Sequence, residues 1–140
     1  MSTVYTDDYV LLNAGGRGYP GFQGQDNISI FQKYEAAALA SGSTIYMFIP
    51  PAGAIFNGGG KLFYDDLGAP TITLAAGIVG TTTKFLGATD AATAAGETAL
   101  AGGVDALGYV FDGATPVIIT TAGSGAATGT IGLRMDFQLQ

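Results

Sequence analysis

The chain has 140 residues, 23 of them glycine and five proline, with no cysteine, histidine or tryptophan; 48% are hydrophobic and 11% charged. Five basic side chains against eleven acidic ones leave a net charge of −6, and the length predicts one domain able to bury roughly two-thirds of its unfolded surface. Without Cys and His there is no disulfide framework, zinc finger, Cys–His site or Ser–His–Asp site. Five scattered cations (Arg17, Lys33, Lys61, Lys84, Arg134) make no basic stripe, so no nucleic-acid partner is expected.

The first residues lack a positive n-region and an apolar h-region. No apolar run approaches the roughly 20 residues that span a bilayer. The expectation is therefore a soluble protein made in the cytoplasm, with no membrane partner.

Residues 1–25 read as an N-terminal arm and residues 26–140 as the body. Residues 8–12 read as a first short strand. Residues 13–25 follow, with five glycines, a proline and no β-branched residue. Aromatic side chains and one Arg on such a segment suit an arm that orders on a neighbouring molecule; the same composition fits an ordinary mobile terminus. Tyr5, Tyr9, Arg17, Tyr19 and Phe22 are the candidate partner-binding anchors.

Beyond the arm, Gly, Pro, Asn and Ser clusters separate short runs rich in β-branched and aromatic residues, the pattern of a meander or Greek key. Residues 28–34 predict a strand. Residues 32–40 combine helix propensity, a capping-box-like Ser29/Gln32 pair and extended alternation, and are read as strand running into loop. Residues 44–49, apolar on both faces, predict a covered central strand. Residues 57–60 read as a hairpin turn, followed by strands at 61–64, 71–74 and, more weakly, 84–86. Ile72 and Leu74 are expected inward, Thr71 and Thr73 outward. Residues 91–101 read as a loop, and strands are expected at 107–111 and 117–121.

At the C-terminus Ile131, Leu133, Met135, Phe137 and Leu139 alternate with Gly132, Arg134, Asp136, Gln138 and Gln140. This period of two predicts a half-buried strand with one apolar face and one wet or partner-facing. About eight strands emerge, enough for an all-β, two-sheet sandwich or jelly roll.

The motifs reduce to turns. Gly16, Gly18 and Gly21 match a dinucleotide fingerprint in form, but Pro20 removes a backbone donor and no amphipathic helix follows closely. Gly58–Lys61 resembles a phosphate loop, yet Leu62 stands where magnesium needs Ser or Thr. Adjacent Asp65 and Asp66 point to opposite faces of a strand. A calcium loop has no signature, leaving at most a weak site drawn from Asp65, Asp105 or Asp112. Lys33 and Glu35 are expected to form a surface pair. No catalytic, cofactor or metal residue is assigned.

The succession Ile49-Pro50-Pro51-Ala52-Gly53-Ala54, Lys61–Ala69, Thr71–Leu74, Lys84–Asp90, Leu107–Phe111 and Thr130–Leu139 resembles small virion structural proteins of tailed bacteriophages, the head decoration (cement) type. The resemblance covers residues 44–140. It implies a sandwich or jelly roll, commonly trimeric, that bridges capsid subunits: a non-enzymatic protein on the outer surface of the head, assembled in the bacterial cytoplasm. Its partners would be the major capsid protein and copies of itself, with no cofactor. The alternatives are a tail, neck or fibre-base component of the same particle, or a carbohydrate- or small-ligand-binding module.

Overall fold

In the computed structural model, residues 3–5, 27–68, 71–91, 94–100 and 106–139 are described. They form nine strands: β1 (Thr3–Tyr5), β2 (Asn27–Ala40), β3 (Thr44–Phe48), β4 (Ala54–Tyr64), β5 (Thr73–Ile78), β6 (Thr81–Asp90), β7 (Gly96–Ala99), β8 (Val117–Ala122) and β9 (Ala126–Leu139). One sheet runs β1-β3-β8-β5-β6, the other β2-β9-β4-β7. From β2 onward the chain alternates between the sheets, except at the β5–β6 hairpin. Strand orders 2-9-4-7 and 3-8-5-6 are those of an eight-stranded jelly roll, with β1 added in parallel beside β3.

β9 holds the four-stranded sheet together, pairing with β2 on one side and β4 on the other. Its alternation behaves as the sequence predicts: Ile131, Leu133, Met135 and Phe137 are fully buried. Between the sheets lies a chain of rings. Phe137 packs on Phe48 at 6.3 Å and on Phe111 at 5.5 Å, Phe111 on Phe85 at 6.0 Å, and Phe85 on Phe56 at 5.0 Å. Phe48 and Phe85 come from one sheet, Phe56 and Phe137 from the other, so the rings join the layers.

The connections between sheets are tied by backbone bonds. Gly42 N donates to Thr121 O at 2.8 Å and Thr121 N to Ser43 O at 2.9 Å, joining the end of β2 to β8. The buried hydroxyls there are satisfied: Ser43 Oγ donates to Ala40 O, and Thr121 Oγ1 accepts from Ser43 N. Asp112 closes the turn before β8, its Oδ1 accepting from Ala114 N and Thr115 N, both at 2.8 Å. Those two amides hold its carboxyl below the ordinary value of 3.8.

Several sequence expectations hold. β3 lies between β1 and β8, Ile72 and Leu74 are buried, Thr71 is exposed, and 84–86 lies within β6. Others are corrected. Residues 32–40 do not run into a loop: β2 continues to Ala40, because pairing with β9 and burial of Ala36 and Leu39 outweigh local helix propensity. The strand accommodates the Ala run with a bulge between Ala36 and Leu39, where Ala38 takes φ 53°.

Residues 57–60 are not a hairpin turn but a bulge inside β4, where four steps from Phe56 to Gly60 face two on β9. A Cβ on Gly60 would come 2.3 Å from Arg134 O, so glycine alone lets the backbones close again. Residues 91–101 are not all loop: β7 pairs with Lys61–Tyr64, too short and exposed to show a period of its own. Residues 107–111 are not a full strand. A turn at 106–108 takes their first half, leaving one bridge, Val110 to Ile55, and bonds such as Phe111 N to Ala54 O. The expected strand at 8–12 lies outside the described residues.

Three outcomes follow from this packing. Phe137→Ala removes the ring shared by both sheets and costs about 3–5 kcal/mol in denaturant unfolding; a loss under about 1 kcal/mol contradicts the ring chain's role. Ala38→Gly relieves a left-handed alanine and stabilises by about 1 kcal/mol; an unchanged midpoint shows no strain there. For Asp112, folding lowers the carboxyl's pKa, so its stabilisation is present above about pH 3.8 and is lost as pH falls through the lower folded value. Melting of Asp112→Ala should therefore fall below the unsubstituted chain at pH 7, with the gap narrowing in acid; a pH-independent gap contradicts this.

Candidate functional site

The described carboxylates are occupied with structure, and no group of three or more Asp or Glu among them could hold a metal ion. Asp65 accepts from Thr130 N, Asp66 from Gly68 N, and Glu35 from Thr130 Oγ1. The expected Lys33–Glu35 pair is therefore replaced by a cross-strand bond from Thr130. Asp105 lies outside the described residues. Of the arm anchors, Tyr5 stands in β1, its backbone opposite Tyr46. Tyr9, Arg17, Tyr19 and Phe22 lie outside the described residues.

What the structure does assemble is the outer face of the four-stranded sheet. Since β9 turns Ile131, Leu133, Met135 and Phe137 inward, the residues between them must face out. The pairing aligns two rows across the sheet: Phe31, Arg134, Lys61 and Ala99 in one; Lys33, Gly132, Phe63 and Glu97 in the next. Phe31 and Phe63 meet edge to face at 5.9 Å. Gly132 lies beside it: a Cβ there would come 3.1 Å from the Phe31 ring, so its lack of a side chain leaves the ring room against the sheet. The rings, with Lys33, Tyr64, Gly96 and Thr130, line a shallow open pocket of about 270 Å³.

Apolar exposure concentrates here. Among the described residues the exposed large hydrophobics are Phe31 (50%), Leu107 (53%), Val110 (48%) and Val79 (61%). Three of them belong to this face. Leu107 lies against Gly58 in the β4 bulge, and Val110 bridges to Ile55, whose neighbours Ala54 and Phe56 point inward. Val79 stands apart, at the β5–β6 turn.

The charges on this face are unevenly matched. Lys61 and Arg134 are directly opposite, a like-charge arrangement that costs energy. Lys61 is compensated by Glu97 at 2.9 Å. Arg134 Nε is 3.8 Å from Asp136, beyond hydrogen-bond reach, and is buried without a hydrogen-bond partner. Asp136 instead accepts from Ser29 Oγ.

Sequence reasoning points to the arm and passes over this face. One signal was available: the wet or partner-facing side of the C-terminal alternation contains Arg134 and Asp136. Phe31 sits on the exposed side of residues 28–34 in the same way. Joining them needed the register of β2 on β9, and that depends on long-range pairing.

No protein-family model matches the chain, and no curated protein does. Solved structures match along nearly its whole length. A chain in the capsid of Ralstonia phage GP4 is 23% identical, with TM-score 0.75 over 99% of this chain and 98% of that one. A chain of the cyanophage Pam1 capsid asymmetric unit is 22% identical, with TM-score 0.67 over 91% and 96%. A chain in the acid-stable capsid of Helicobacter pylori bacteriophage KHP30 is 15% identical, with TM-score 0.59 over 82% and 89%. The jelly roll of this protein is thus a fold found as a separate, similarly sized chain in three bacteriophage capsids.

Proposed function

We propose that the protein is a non-enzymatic structural component of a bacteriophage head, of the decoration (cement) type, which binds the assembled shell from outside and stabilises it. The supporting observation is the end-to-end match with capsid chains: 98% of one and 96% of another are covered, so those chains are close to this one in length. The fold therefore stands in those particles as an independent polypeptide, not as a domain inserted in a larger subunit. A small independent chain in a shell suits attachment to a lattice built by another, major capsid protein.

Its chemistry agrees. Among the described residues, a surface of small residues, one exposed and one half-buried ring and tied-up carboxylates offers contact area and no acid–base pair. Stabilisation would come from binding alone: a ligand that binds the assembled lattice and not free subunits shifts assembly toward the lattice. Copies of the chain, as a homotrimer, would gain avidity from occupying several lattice points at once. The arm residues Tyr5, Tyr9, Arg17, Tyr19 and Phe22 would supply further contacts with the shell.

The test uses empty shells assembled from the major capsid subunit encoded in the same genome. Added protein should co-sediment to saturation and raise the shell's melting temperature. Alanine at Tyr9, Arg17, Tyr19 and Phe22 together should lower occupancy at a fixed concentration. Absence of co-sedimentation, or binding with no change in shell melting, would contradict the cement role; unchanged occupancy of the alanine variant would contradict the arm's.

A further inference from the structure

We infer that Asn57, in the β4 bulge, is a site of self-modification. The Gly58 amide nitrogen attacks its side-chain carbonyl, ammonia leaves, and water opens the resulting ring to aspartate or isoaspartate. The reaction takes no enzyme, metal or partner, so it goes beyond the shell-binding reading and does not depend on it.

Such an attack needs an unobstructed following residue, a backbone not locked in a ladder, and an asparagine side chain folded back over its own peptide. The bulge supplies each of these. Asn57 is followed by Gly58, which has no side chain to crowd the ring. Its φ of +88° is one that glycine adopts freely. Asn57, Gly58 and Gly59 together face the single residue Asp136, because Phe56 pairs with Phe137 and Gly60 with Met135. Their backbone therefore stands outside the regular pairing. Asn57 is exposed, so water reaches it.

The side chain is already turned the right way. Asn57 Oδ1 accepts a hydrogen bond from Gly59 N at 3.0 Å. That bond closes a small turn containing both Asn57 Cγ and Gly58 N, and so holds electrophile beside nucleophile. It also sets a donor on the oxygen that gains negative charge as the nitrogen adds. Of the other two asparagines, Asn27 precedes the branched Ile28, and Asn13 lies outside the described residues.

The chemistry balances with one water. Gly58 N bonds to Asn57 Cγ and gives up its proton; the Cγ–Nδ2 bond breaks, and Nδ2 departs with that proton as ammonia. Water then adds to either carbonyl of the cyclic imide. Cleavage at Cγ restores the peptide with an aspartate, and cleavage at the main-chain carbonyl leaves isoaspartate.

Either product places a new carboxylate where one already stands. The position of a Cβ on Gly59 is 3.2 Å from Asn57 Oδ1 and 2.6 Å from Asp136 Oδ2, so the two side chains meet at one point. Like charges facing each other across a strand pair are destabilising, and the modified bulge is held less firmly against β9.

The test follows the full chain, folded in neutral buffer, by mass spectrometry of its proteolytic peptides, beside the same chain unfolded in guanidinium chloride. The expected result is progressive replacement of amide by acid at Asn57, preceded by the ammonia-deficient imide, at least as fast as in the unfolded chain. The peptide carrying Asn27 should stay unchanged over the same interval. Asn57→Gln, whose longer side chain misplaces the carbonyl for ring closure, should lose the reaction completely. Slower conversion in the folded chain than in the unfolded one, or none, overturns the proposal, since the bulge then protects the residue. Conversion of Asn27 at the same rate overturns it too, because the bulge geometry then confers nothing. Asn57→Asp reproduces one product and should melt below the parent in low salt; equal melting overturns the crowding at Asp136.

Discussion

Pairing of β9 on both edges is the constraint from which the other features follow. A strand held by β2 on one side and β4 on the other cannot slip by one residue without sending Ile131, Leu133, Met135 and Phe137 into solvent. Fixing that register fills the core with Phe137 and the rings around it. It also fixes what stands on the opposite side: Thr130, Gly132, Arg134 and Asp136. Core and outer face are thus two readings of one alternating segment.

Glycine acts on both. In β4 it opens a bulge so that eleven residues can follow β9 without losing register, and Gly60 closes that bulge where a side chain would strike the Arg134 carbonyl. In β9, Gly132 leaves the Phe31 ring room beside Phe63. The high glycine content, which in sequence reads simply as turns, is partly employed inside strands to shape a surface.

Legibility followed the range of the interactions. The C-terminal strand, the Ile72/Leu74 alternation and the two-sheet class were readable because each rests on a local period of two. The β4 bulge was read as a turn because Asn57–Gly60 has turn chemistry locally, and β9 running alongside is invisible in sequence. The alanine run after Tyr34 failed for the opposite reason, since its helix propensity is real but weaker than a ladder along β9. β7 has no apolar rhythm of its own and exists because β4 offers an edge. The candidate face was hidden for the same reason: Phe31, Phe63, Gly132 and Arg134 are up to 103 residues apart and meet through register alone. The arm, in contrast, is an expectation from composition alone and lies almost wholly outside the described residues.

Adhesion of this jelly roll to a head shell, as proposed above, can be seen in place by single-particle cryo-electron microscopy of virions carrying the protein. The predicted result is jelly-roll density repeated on the outer surface of the head. Density confined to the tail or neck, or no density in the particle at all, would contradict it.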